Sequence, residues 1–283
     1  MASSDDRLIE LLHETAIAVR AALDGLDDWG PAGTRPGQYL SDLAADAAAH
    51  SILDDAEVGV LSEESGLSGA DHAVVVVVDP LDGSTNAARG IPWFATSLCA
   101  VDADGPRAAL VVDLPHGRTY TAVRGGGAAV DGVPLRPSGC TVVGEALVGI
   151  SGLPTEPLDW RQFRTLGAAA LDLCAVAEGS LDGFVDCSPS AHGVWDYLGG
   201  ALICTEAGAS VADALGRDLV AIDAAARRTP VAAATPELLD ALLAARRRAT
   251  GAEDGGPDTD GDRGSHGDRN TVGDDGDPDA RAV

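Results

Sequence analysis

Apolar residues recur at helical spacing from about Asp5 to Leu23, which predicts an amphipathic first helix, and again through "SDLAADAAAHSILDD", where Ser41 is placed to cap a second. The connection "DDWGPAGTRPGQY" is rich in turn residues. The pattern then changes to short β-branched and apolar runs: "AVVVVVD", "FATSLCAVD", "RAALVVDLP" and "RTYTAVRGGGAAVDGVPL". Five consecutive valines from Val74 predict a buried strand, far too short to cross a membrane. That strand delivers Asp79 and Asp82 at its end. From Glu145 onward short strands alternate with helices, among them "TLGAAALDLCAVAEG" and "DYLGGALICTEAGA", the latter stopping at Gly208. "RGGGAAVDGVPL" lacks the Lys-Ser/Thr end of a phosphate loop and predicts a hairpin with Gly turns.

These patterns divide the 283 residues into three parts. Residues 1–143 form an N-terminal α+β unit, residues 144–249 a C-terminal α/β unit, and residues 250–283 a Gly/Asp-rich segment. The last has too little apolar surface to offset the entropy of ordering, and is expected to be a disordered acidic tail. The formal charge is −26, with nineteen arginines and no lysine, and no basic block attracts nucleic acid or an anionic membrane. Five cysteines without paired metal spacing read as reduced core thiols, and the N-terminus lacks the pattern of a secretory signal, so the cytoplasm is the expected compartment.

The chemistry concentrates in acidic residues at element ends. Pro80 fixes its own φ and biases Asp79 away from helix, so the chain turns and brings Asp79 and Asp82 together. Two such anions coexist readily only around a proton or a cation. Gly83 and Ser84 follow, a small residue and a hydroxyl at an expected helix start suited to phosphate. "VLSEESG" repeats the strand-to-carboxylate design at Glu63 and Glu64, and "GVWDYLGG" places Asp196 just before a helix. Hard oxygen ligands without a histidine or thiolate pattern suit Mg²⁺ better than Zn²⁺.

In series, "EE", "DPLDGSTN" and "WDYLGGALICTEAGA" resemble the inositol monophosphatase family of Mg²⁺-dependent phosphatases, over about Asp5 to Leu243. The resemblance implies an α/β fold, a layered α-β-α-β-α sandwich of the inositol monophosphatase and fructose bisphosphatase type. It implies metal binding by Glu63, Asp79, Asp82, Asp196 and the Leu81 carbonyl, and phosphate binding by the Gly83 and Ser84 amides. Glu63 and the Ser84 hydroxyl would orient the attacking water, with Asp46 near that water. Gly167, Ala169 and Asp186 match positions that contact the substrate alcohol.

The expected activity is hydrolysis of a small phosphate monoester, inositol monophosphate first, by metal-activated water. Histidinol phosphate and fructose 1,6-bisphosphate are alternatives within the fold, and a metal-binding regulator without turnover is the alternative of another class. A homodimer is expected from the family alone. Three departures stand out: the family's lysine near the first helices is absent, with Arg35 nearby; "DCSPSAHGVWD" is longer than the corresponding loop; and Asp replaces Glu at position 186. His192 in that loop reads as solvent-facing, with a substrate contact as the other option.

Overall fold

The computed structural model describes residues 4–188 and 190–250. The expected acidic tail lies outside the described residues. The chain opens with helices α1 (Ser4–Asp24) and α2 (Leu40–Leu53), then strands β1 (Gly59–Ser62), β2 (Gly66–Ser68) and β3 (Val75–Asp82), and the one-turn helix α3 (Ser84–Ala88). Strands β4 (Ala95–Asp102), β5 (Gly105–Asp113), β6 (Arg118–Val123), β7 (Gly127–Val130) and β8 (Val133–Pro134) complete a first sheet, ordered β2-β1-β3-β4-β5-β6-β7-β8. The β6–β7 pair is antiparallel, so the Gly-rich stretch is a hairpin.

The second half contributes β9 (Leu147–Ser151), β10 (Gln162–Arg164), α4 (Ala169–Glu178), β11 (Gly183–Asp186) and α5 (Val194–Ala207). It ends with β12 (Ser210–Asp213), β13 (Pro230–Ala233) and α6 (Pro236–Thr250). Its sheet is ordered β10-β9-β11-β13-β12.

The valine run explains the layering. Val76 and Val78 pack with Leu12, Val19 and Leu53 of α1 and α2, while Val77 packs on the opposite face with Leu173 of α4 and Leu198 of α5. A strand covered on both sides needs apolar residues at every position, and all eight residues of β3 are buried. Phe184 of the second sheet faces α4 and α5, while Val148, Val185 and Val231 face Leu238 and Leu242 of α6. The order is therefore α1/α2, first sheet, α4/α5, second sheet, α6, an α-β-α-β-α sandwich. Gly200 permits the close approach of α4 and α5, since a Cβ there would stand 2.6 Å from Leu173 Cβ. The five cysteines are free thiols, four of them buried and Cys140 half-buried. No helix among the described residues is long and apolar enough to cross a membrane.

Two local expectations change. Ser41 is not the cap of α2: Tyr39 occupies that place, its N–H donating to the Asp42 carboxylate at 2.8 Å, and the Ser41 hydroxyl is buried within the first turn. Asp196 lies inside α5 rather than before it, where its carboxylate accepts the Gly193 N–H at 2.8 Å.

Candidate active site

The strand ends of the first sheet and the first turn of α5 bring the acidic motifs together. β1 and β3 are parallel neighbours, so the residues leaving their C-terminal ends, Glu63 and Asp79, emerge side by side. Ligand oxygens of Glu63, Asp79 and Asp196 all lie within 4.8 Å of one another. Pro80 and Leu81 break the pairing of β3 with β4, and the resulting shift between Asp79 and Asp82 turns Asp82 toward α4. There its carboxylate accepts the Ala170 N–H at 2.7 Å, while Asp79 accepts the Leu81 N–H at 3.0 Å.

The basic groups that act on this cluster are at its margin: the His192 imidazole 3.2 Å from Asp196, and Arg35 on the cleft wall. Burial, then Asp196, Glu64 and Asp42, push the Glu63 carboxyl up to about 8, against the pull of Arg35. Burial and the neighbouring Glu63, Asp82 and Asp196 raise Asp79 well above the carboxylate range, and burial with Asp196 does the same for Asp82. Carboxylates held this close and this dry are matched by a hard divalent cation, whose charge removes the penalty. The donor set therefore fits a hard divalent cation.

The other expected residues fall into two groups. Gly83 adopts φ +86°, and a Cβ there would meet the Trp93 carbonyl at 3.0 Å, so the turn into α3 requires glycine. Ser84 follows as the first residue of α3. A pocket of about 370 Å³ is lined by Asp82, Gly167, Ala169, Asp172, His192 and Asp196 among others. A second cleft of about 410 Å³ is lined by Glu63, Ser84, Asp42, Arg35 and, across it, Trp195 and Arg227. Arg35 and Gln38 both donate to Glu64, and the Arg227 guanidinium lies 5.2 Å from the Trp195 ring centroid.

The Asp46 and Asp186 carboxylates are engaged by neighbouring groups of the chain. Asp46 Oδ1 accepts the Ser62 hydroxyl at 2.5 Å and the Ser65 hydroxyl at 3.3 Å, on either side of Glu63 in sequence. The aspartate of α2 that faces Ser84 is Asp42, one helical turn earlier. Burial lifts Asp42 to about 6, the Tyr39 N–H and the Ser84 hydroxyl opposing, and its Oδ1 is buried with no hydrogen bond. Asp186 is fully buried and its carboxylate is taken by its own loop, accepting the Ser188 N–H at 2.8 Å and hydroxyl at 2.9 Å.

The pocket wall is instead His192, which is not solvent-facing: its side chain is 14 % exposed. Its Nδ1 lies 3.2 Å from Asp196 and its Nε2 3.2 Å from the Ser151 hydroxyl. Burial alone would lower its pKa, but Asp196, Asp186 and Asp82 outweigh it and hold the imidazole above its ordinary value. Two anchors draw the loop inward: paired backbone hydrogen bonds between His192 and Arg228, and the buried Arg246, which donates to the Asp186 and Ser188 carbonyls. Neither anchor is close in sequence.

A layered sandwich with a carboxylate cluster at the strand ends of its first sheet defines a class, and the comparisons name it. The sequence profile of the inositol monophosphatase family matches residues 41–251, and the chain belongs to that family. A fructose-1,6-bisphosphatase of Pyrococcus furiosus is 33% identical over 207 residues, covering 72% of this chain and 81% of that protein. The Nus factor SuhB of Escherichia coli strain K12 is 31% identical over 231 residues, covering 74% and 80%. Among solved structures, a hypothetical protein of Pyrococcus horikoshii with similarities for inositol-1 monophosphatase superposes with a TM-score of 0.74 at 28% identity, covering 84% of this chain and 96% of that one. The inositol monophosphatase of Anabaena (Nostoc) sp. PCC 7120 gives 0.72 at 26%, covering 87% and 98%.

Proposed function

We propose that this protein is a Mg²⁺-dependent phosphatase that hydrolyses the phosphate monoester of a small polyol, inositol monophosphate first among candidates. The observation that carries the reading is the group formed by Glu63, Asp79 and Asp196, three carboxylates whose ligand oxygens lie within 4.8 Å of one another. Glu63, Asp79, Asp82, Asp196 and the Leu81 carbonyl would hold the metal, which when bound supplies Lewis acidity to the phosphoryl oxygens and to the attacking water.

The chain's own groups supply the rest. The Gly83 and Ser84 amides, at the start of α3, offer donors to the phosphate. Ser84 stands between Glu63 and Asp42 on the wall of the cleft, where its hydroxyl can take a hydrogen bond from water and pass one to the Asp42 carboxylate. The Ala170 N–H fixes Asp82, and Gly193 with His192 fixes Asp196, so these carboxylates need little rearrangement on loading. The alcohol leaves into the pocket lined by Gly167 and Ala169.

Phosphate release from a panel of monoesters, with and without Mg²⁺, tests the reading. Turnover that requires Mg²⁺ and is lost in Asp79→Asn, with circular dichroism unchanged, is expected. A chain that binds Mg²⁺ yet releases phosphate from no substrate is a regulator, and the proposal is then wrong.

A further inference from the structure

The pocket beside the metal cluster contains one carboxylate that the chemistry above leaves unused. Asp172, the fourth residue of α4, is 2 % exposed and lines the pocket opposite the metal-holding strand ends. Its Oδ1 accepts the indole N–H of Trp93 at 3.0 Å, and no hydrogen bond engages its other oxygen among the described residues. Asp172 stands outside the group of three carboxylates, and the cationic side chain that acts on it is His192. His192, on the wall near it, is already shared between Asp196 at 3.2 Å and Asp186 at 3.8 Å. The residues that line this pocket include no arginine; Arg35 and Arg227 line the other cleft.

We propose that Asp172 is a specificity-determining residue for the leaving alcohol: its free oxygen accepts a hydroxyl of the alcohol and its charge disfavours an alcohol that carries a second phosphate. The reasoning is one of paired demands. The oxygen that the indole leaves free belongs to a residue lining the pocket and is not sealed off in the core, so a hydroxyl of the alcohol can replace water there as its donor. A second phosphate brought into the same pocket would meet that carboxylate with no guanidinium to separate them, and like charges at close range oppose binding. The claim rests on the phosphatase reading. It distinguishes this chain from what the name of its Pyrococcus furiosus relative would suggest.

The test compares kcat/KM of the full chain with Mg²⁺ for inositol 1-phosphate and fructose 1,6-bisphosphate, at about pH 8, above the value of about 7 to which burial lifts the Asp172 carboxyl. Wild type should favour the monophosphate. In Asp172→Asn, which keeps an oxygen for the Trp93 indole, the ratio of monophosphate to bisphosphate should fall about tenfold or more, the loss expected of one hydrogen bond to a charged group. A purely structural role would lower both substrates together and leave the ratio where it was. An unchanged ratio, or a wild type that prefers the bisphosphate, overturns the inference.

Two controls keep the outcomes apart. Hydrolysis of p-nitrophenyl phosphate by wild type reports on phosphatase activity alone; without Mg²⁺-dependent release from any of the three esters, the phosphatase reading falls and this inference with it. If circular dichroism shows that Asp172→Asn does not fold, inhibition of wild type by the two product alcohols decides: free inositol should compete better than fructose 6-phosphate, and the reverse order refutes the role of Asp172.

Discussion

Asp46→Ala separates a residue that touches the reacting water from one that holds the turn beside it. In the structure Asp46 reaches no group of the cleft. Its Oδ1 receives the Ser62 hydroxyl at 2.5 Å; Ser62, only 1 % exposed, in turn accepts the Glu64 N–H at 3.2 Å, so these bonds bracket Glu63. The Ser65 hydroxyl adds a longer contact at 3.3 Å and meets His50 Nε2 at 2.8 Å. Counting only the buried bond, and taking roughly 1.5–3 kcal/mol for a hydrogen bond to a charged group, removal should cost about 2 kcal/mol of stability. Loosening the turn should also lower metal affinity by about 10- to 100-fold, the usual effect of deleting a group that orients a ligand. Urea denaturation gives the first quantity and titration with Mn²⁺, followed by its electron paramagnetic resonance signal, gives the second. Asp46→Asn keeps an acceptor oxygen and should recover most of both. The reasoning fails if Mn²⁺ affinity is unchanged in Asp46→Ala while kcat at saturating metal collapses in both variants, because Asp46 would then act at the water after all.

Ser84→Ala should lower kcat by about 10²–10⁴-fold with KM little changed, whereas Ser84→Thr should stay active; a normal kcat with raised KM in the alanine variant would reduce Ser84 to a binding role. Gly83→Ala must carry a Cβ at φ +86° against the Trp93 carbonyl, Ala168 and Gly167, and should lose about 1–3 kcal/mol in urea denaturation together with activity; wild-type stability would show that the turn relaxes freely. For the chelator-treated protein, Glu63 keeps its proton to about 8 when folded against about 4.5 when unfolded, so the native state binds more protons between these values and stability falls as pH rises. Thermal melts should show a lower Tm at pH 8 than at pH 5 without metal and recovery with Mg²⁺, and a Tm that rises with pH would contradict the assignment of this cluster.

What the sequence made legible was whatever depends on one element at a time. The valines ahead of Asp79 announce a buried strand, and Pro80 announces a turn at its end; the expectation that this turn brings Asp79 and Asp82 together misses that Asp82 faces the α4 backbone while Asp79 joins Glu63 and Asp196. The strand and the turn needed only local geometry. Asp42 and Asp46 are one turn apart on α2 and look alike in sequence; which one meets Ser84 depends on how the helix lies across β1 and β3, a tertiary fact. His192 is a lone loop histidine until Arg246, 54 residues later, pulls the loop against the second sheet. The hold of Ser188 on Asp186 is illegible for the same reason, since it depends on how the loop folds back. Asp172 had no signal at all, being one polar position in an otherwise apolar helix.

The division of labour within the site bears on how such a protein can change. Glu63, Asp79 and Asp82 are set by the paired strands of the first sheet, and Asp196 by the first turn of α5, elements whose register is fixed on every side by packing. The neighbouring pocket is lined by residues of a different kind: the stretch ahead of α4 and His192, which is fastened by backbone hydrogen bonds to Arg228. Lengthening or recasting the loop that carries His192 alters what the pocket can recognise and leaves the carboxylates where they are. Hydrolysis and substrate choice can therefore be inherited separately, and relatives that share the acidic motifs can diverge in substrate through loop substitutions alone.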